Sequence, residues 1–146
     1  MNTYISAFVS ENKIAVVGVS RTGKKFGNAI VKELTTRGIE VFIVHPTEAF
    51  IDGKQCFPDM ESLKGIVRAV VVIVPPKNAL MVIAEAAKAG IRKVWLQQGS
   101  ASPEVIALAR ELGLSYVAGK CILMYAGKVG GVHTFHRGIN KLFGRY

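Results

Sequence analysis

Six residues near the amino end carry the pattern with the clearest chemistry. Gly18-Val-Ser20-Arg-Thr-Gly23 follows an apolar run and precedes a helical one, and it matches the dinucleotide-binding fingerprint with serine in place of the second glycine. A diphosphate needs backbone that can approach it closely. Gly18 allows the tight turn out of the strand, Val19 continues it, and Ser20 is small enough for the approach while its hydroxyl adds a donor. Gly23 and Gly27 keep the following helix close to the sheet. The free amides of that helix start and the positive end of its dipole favour an anion. Arg21, Lys24 and Lys25 can add charge-assisted bonds. Cations at a helix amino end oppose the dipole, so they too call for an anion nearby. The competing reading is a turn that needs glycine for steric reasons alone.

The second strand bears on which nucleotide fits. An NAD site places Asp or Glu about 20 residues beyond the glycines, at that strand's end, to take the ribose hydroxyls. Here the strand ends Ile43-Val44-His45-Pro46; Glu40 lies at its wrong end and Glu48 beyond the proline. The 146 residues hold no second domain for a hydride acceptor. Both points disfavour a dehydrogenase. His45 either touches a ligand phosphate or base, or caps the strand end.

The elements that must position these residues alternate along the chain. Thr3 to Val9 reads as a leading helix, and Lys13 to Val19 as a buried strand ended by glycine. Phe26 to Arg37 has apolar residues at helical spacing and stops at Gly38. Val41 to Val44 is the second strand; residues 47–60, with Asp52-Gly53 and Pro58, read as turns. Ala69 to Val74 is apolar on both faces, the mark of a parallel strand covered by helices on each side. A helix from Asn78 to Ala89, a strand from Lys93 to Gln97, a helix opened by Ser102-Pro103 and a strand from Leu114 to Val117 follow. This order implies an α/β fold: a Rossmann-like, doubly wound parallel sheet of about five strands, helices on both faces. Ligands of such sheets bind beyond the strands' carboxyl ends, where strand order reverses.

Bulk properties narrow the class. The chain is 50% apolar and 20% charged, as in a compact domain, and residues 1–126 read as that domain. The longest apolar run, Ala69 to Pro76, is far too short to span a bilayer, and the first residues lack the pattern of a secretory signal. Cys56 and Cys121 have no metal-ligand spacing, no metal site is expected, and the cytosol is the expected compartment. The formal charge is +9, from 19 Lys and Arg against 10 Asp and Glu, which favours polyanionic ligands. Part of it lies in a basic tail, residues 127–146, holding Lys128, Arg137, Lys141 and Arg145 without an acid. Phe135, Ile139, Leu142 and Phe143 recur there at helical spacing. The tail would dock on its own domain or on a second subunit, or else meet nucleic acid or a membrane surface. Four cations are a weak electrostatic signal, so docking is preferred and nucleic acid is disfavoured.

Val17-Gly18-Val-Ser20 with Gly23 and Gly27-Asn28, then Val44-His45-Pro46, Ile51-Asp-Gly53-Lys54 before Phe57-Pro58, and Val94-Trp-Leu-Gln97-Gln-Gly99 together resemble one family. It is that of stand-alone CoA-binding proteins related to the CoA-binding domain of the succinyl-CoA synthetase alpha subunit, and the likeness covers about residues 10–125. The resemblance implies coenzyme A or an acyl-CoA as ligand, with Gly18, Ser20 and Gly23 cradling its diphosphate. Lys24 or Lys25 would meet a phosphate, such as the ribose 3′-phosphate. Val44 to Pro46 would flank the adenosine, and Val74-Pro75-Pro76 would pack beside the nucleotide. Members of the family often have Asn-Pro where this chain has His45-Pro46. The synthetase subunit also uses a second domain with a phosphorylated histidine; His133 and His136 lie in the glycine-rich tail, outside that context.

No Ser/His/Asp, Cys/His or paired-carboxylate constellation can be assembled, so no catalytic residue is named. Cys121, after the fifth strand, could form a mixed disulfide with a CoA thiol, although a buried and inert cysteine is the commoner case. The expected function is non-catalytic binding of a nucleotide ligand. The alternatives are an NAD(P)-binding enzyme or acyl-CoA ligase subunit needing a partner, and a nucleic-acid binder working through the tail.

Overall fold

The computed structural model describes residues 3–22 and 25–125. The predicted tail, residues 127–146, lies outside them, as do Gly23 and Lys24. The elements are α1 (Thr3–Val9), β1 (Lys13–Val17), α2 (Phe26–Thr36), β2 (Glu40–Val44), β3 (Phe50–Ile51) and β4 (Lys54–Phe57). After them come β5 (Ala69–Val72), α3 (Pro76–Lys88), β6 (Lys93–Leu96), α4 (Pro103–Glu111) and β7 (Ser115–Ala118). Short 3-10 turns occupy Glu61–Leu63 and Ile122–Met124.

The strands form one sheet in the order β3-β4-β2-β1-β5-β6-β7, parallel except for the β3–β4 pair. The fold class is therefore the one that the alternation implied, with two more strands than expected. Both lie in the stretch read as turns. Asp52 and Gly53 have φ values of 50° and 80°, which makes them the centre of a tight hairpin turn joining β3 to β4.

Period-two alternation assigns side chains to the two layers. Ile14, Val16, Val71 and Trp95 face α1, α2 and the 122–124 turn; Ala15, Val70, Val72, Val94 and Leu96 face α3 and α4. All four residues of β5 are buried, as a central strand covered twice must be. Trp95 meets Phe8 edge-on at 5.3 Å and donates its indole N–H to the Lys120 carbonyl at 2.8 Å. That bond lets a large ring with a polar edge sit wholly inside.

The helices begin where local chemistry starts them. Ser102 caps α4 by accepting from the Val105 N–H at 3.2 Å, with Pro103 at the first position. α3 starts at Pro76 rather than Asn78, because proline suits the first helical position, where no backbone donor is needed.

Candidate functional site

β1 pairs with β2 on one side and β5 on the other, and the helices that follow β1 and β5 cover opposite faces of the sheet. This is the point of strand-order reversal, where a crevice opens at the carboxyl ends. The loops that border it are those leaving β1 and β5, with His45-Pro46 beyond β2.

The loop after β1 is held at unusually close quarters. Gly18 has φ of 115°, and a Cβ there would run into the Ile73 backbone carbonyl beside β5. Two constraints, backbone conformation and space, thus demand glycine at this position. Gly27, in the first turn of α2, faces the Gly18 carbonyl oxygen, and a Cβ on it would also overlap that oxygen. The helix start is therefore pressed directly onto the strand end, as the fingerprint's steric logic expects.

Asn28 organises the rest. Only 7% exposed, it accepts at Oδ1 from the N–H groups of Ser20 at 3.0 Å and Lys25 at 3.2 Å. Its Nδ2 donates to the Ser20 carbonyl at 2.9 Å. The Ser20 hydroxyl accepts from the Thr22 N–H at 3.1 Å and shares a proton with the Thr22 hydroxyl at 2.8 Å. One hydroxyl proton of that pair stays free to point outward. Sequence reasoning took Asn28 only as part of a resemblance and gave it no role. The available signal was a polar residue in the first turn of a helix whose neighbours are apolar.

The flanking residues are fixed in turn. His45 accepts at Nδ1 from the Thr47 N–H at 3.2 Å and the Glu48 N–H at 3.1 Å, so its ring caps the turn after β2. Its other nitrogen, Nε2, then carries the proton of the neutral ring. Pro46 is exposed beside it. Val74 donates its N–H at 3.1 Å to the hydroxyl of the buried Ser100, which ties the β5 end to the loop after β6. Pro75 gives its carbonyl to Asn78 and Ala79 at 2.9 Å each, closing the first turn of α3.

The two ends of the sheet differ in charge pairing. At the amino end Glu11 takes Lys93 at 2.6 Å and Arg68 at 3.6 Å, and Arg37 bonds Glu33 at 3.1 Å. Beside the loop after β1, Arg21 and Lys25 are exposed and have no carboxylate partner among the described residues. Two open clefts of about 510 and 550 Å³ lie at the amino end, around Ser10 to Lys13. Both lie at the amino ends of the strands, whereas ligands of such sheets bind beyond the carboxyl ends, so the carboxyl end is the better candidate.

The cysteines are both buried. Cys121 is 1% exposed and belongs to the core beneath α1 and α2. Burial, with the nearby Glu48 charge, pushes the Cys56 thiol up and away from the reactive thiolate form. Among the described residues no group of three or more His, Cys, Asp or Glu could hold a metal ion, and no helix is long and apolar enough to cross a membrane.

Known proteins share this fold. A solved structure of a conserved hypothetical protein from Pyrococcus furiosus is similar with a TM-score of 0.72 and 40% identity, covering 76% of this chain and 96% of that one. Among curated proteins, the ADP-forming acetate–CoA ligase I of Archaeoglobus fulgidus is 25% identical over 134 residues, which are 85% of this chain and 20% of the ligase. The alpha subunit of the ADP-forming acetate–CoA ligase II of Pyrococcus furiosus is 22% identical over 147 residues, covering 93% of this chain and 30% of the subunit. The chain thus spans less than a third of the length of either curated relative. The CoA binding domain profile matches residues 12–126, from the turn before β1 to just past the 122–124 turn, and the chain belongs to that CoA-binding family.

Proposed function

We propose that the chain binds coenzyme A or an acyl-CoA through the loop after β1 and the first turn of α2, as a non-catalytic module of the cytosol. One observation carries this reading. At the switch point Gly27 packs against the Gly18 carbonyl with no side chain between them, and Arg21 and Lys25 stand exposed beside that contact with no carboxylate partner among the described residues. A diphosphate suits that arrangement in charge and in reach. Gly23 and Lys24 would complete the cradle, with Lys24 or Lys25 meeting the ribose 3′-phosphate. His45 and Pro46 would flank the adenosine on the β2 side, His45 offering its Nε2–H as a donor. Val74, Pro75 and Pro76 would line the opposite wall, held by the Ser100 hydroxyl.

A second reading follows from the acetate–CoA ligases that the chain resembles over a fraction of their length. In it the chain is the CoA-holding part of a ligase whose remaining chemistry sits on a partner. Co-purification with a nucleotide-hydrolysing subunit would favour it.

Calorimetric titration with CoA, dephospho-CoA and NAD at one salt concentration tests the main reading. CoA should bind best and dephospho-CoA more weakly, through loss of the 3′-phosphate contact. Preference for NAD would overturn the argument from the missing ribose acid and restore a redox function.

A further inference from the structure

The clamp made by Asn28 decides which backbone groups of the loop can face a ligand. No cis peptide bond is present among the described residues, so the carbonyl and N–H of each peptide group point in opposite directions. Asn28 Nδ2 holds the Ser20 carbonyl at 2.9 Å, turning it inward. The Arg21 N–H shares that peptide plane and must therefore point away from Asn28. The neighbouring donors are consumed: the Ser20 and Lys25 N–H groups by Asn28 Oδ1, and the Thr22 N–H by the Ser20 hydroxyl. The backbone N–H groups of Val19, Arg21 and Gly27 have no acceptor among the described residues.

We infer that Asn28 is a positioning residue of the phosphate loop, which locks the Ser20–Arg21 peptide so that the Arg21 N–H faces the bound anion. The inference rests on the diphosphate reading above and names the device behind it. The residue type follows from the geometry. The clamp needs an acceptor and a donor on one rigid plane, a single methylene from the backbone. Aspartate would set a carboxylate oxygen against the Ser20 carbonyl, and the peptide would relieve that repulsion by inverting, turning its carbonyl toward the phosphate. Glutamine has the right groups but one methylene too many. Protonated aspartic acid, by contrast, regains a donor for the Ser20 carbonyl.

The test compares the wild type with Asn28→Ala and Asn28→Asp by calorimetry and amide NMR, using CoA, inorganic pyrophosphate and adenosine 3′-phosphate as probes. Both variants should lose about 10- to 100-fold in affinity for CoA and pyrophosphate at neutral pH, the worth of one or two hydrogen bonds to an anion. Adenosine 3′-phosphate, which has no diphosphate, should bind all three proteins alike. The Asn28→Asp variant should regain CoA affinity as its carboxyl protonates, while the wild type does not gain over the same range. A fold that had merely loosened would weaken every ligand together and show no recovery on acidification. Wild-type affinity for CoA in a folded Asn28→Ala protein, or an unchanged Arg21 amide resonance on pyrophosphate binding, overturns the inference. Should Asn28→Ala fail to fold, the isosteric Asn28→Asp variant and its pH profile carry the test. A wild type that binds pyrophosphate at the Arg21 and Gly27 amides but not CoA removes the ligand reading and leaves the clamp standing. If pyrophosphate moves neither amide, both fall.

Discussion

Replacing Gly27 with alanine sets two effects against each other. The position has an ordinary helical backbone, so alanine gains up to about 1 kcal/mol of helix propensity over glycine. Against that, the new methyl overlaps the Gly18 carbonyl oxygen and lies 3.0 Å from the carbonyl carbon and 3.4 Å from Val19 Cα. Unstrained carbon–carbon contacts sit at about 3.5–4.0 Å, so the helix start must retreat by roughly 0.5–1 Å. The obstacle is backbone on both sides, and no flexible side chain can yield. Overpacking of this kind costs about 1–3 kcal/mol, which exceeds the propensity gain. The net loss should be up to about 2 kcal/mol, read as a melting temperature lower by about 2–4 °C per kcal/mol. Ligand affinity should suffer more than stability does, because the retreat carries the Gly27 N–H away from the loop with which it would share a bound anion. Urea unfolding and CoA calorimetry on one preparation measure both quantities. A variant at least as stable as the wild type, with unchanged CoA affinity, would refute the close-approach argument.

Other perturbations probe separate parts of the molecule. Ser100→Ala removes the acceptor of the Val74 N–H and should cost about 1–3 kcal/mol in chemical unfolding, since that donor is left without its partner. The Asp59 carboxyl accepts from the Ser62 hydroxyl and N–H, which hold it below its ordinary pKa. A depressed folded value stabilises the fold above the unfolded pKa, and this is lost as pH falls through the folded one. Ser62→Ala should therefore move the Asp59 midpoint upward in an NMR titration, and an unmoved midpoint would contradict the assignment. Cys56, raised by burial and by Glu48, should resist alkylation in the native protein at mildly alkaline pH and react once the chain is unfolded.

How far the sequence disclosed the structure depended on the range of the interactions involved. The central strands were legible because Ala69 to Val72 are buried on both faces, and such a strand needs unbroken apolar sequence. The cap at Ser102 and the stop after α2 are equally local, and they were readable for that reason. The β3–β4 hairpin was not. Its strands have two and four residues at the sheet edge, only two of them buried, too short for alternation to register. Its one strong sign, Asp52-Gly53, was read as part of a turn without strands on either side, although a two-residue turn with positive φ at both positions is what joins antiparallel strands. In the site, the glycines were visible because a backbone constraint leaves its mark on residue type. Asn28 was not: its bond to Lys25 has the spacing of a capping box, but neither lysine at the cap nor asparagine three residues on is the usual signature, and its other partner, Ser20, lies eight residues away. His45 shows the remaining difficulty: its identity was compatible with capping and with binding, and only the directions of its two nitrogens separate the roles.

The lone tryptophan doubles as an optical probe wired to a particular joint. Trp95 is shielded from solvent between Phe8 of α1 and Tyr125, whose ring lies 5.8 Å away, and its indole proton rests on the Lys120 carbonyl. Its emission should be blue-shifted while residues 120–125 stay packed on the sheet, and should redden as soon as that segment lifts. With seven residues, α1 is too short to persist as an isolated helix, so it forms by docking on this ring. A stopped-flow fluorescence trace would therefore time the seating of α1 and of residues 120–125 on the sheet without any label.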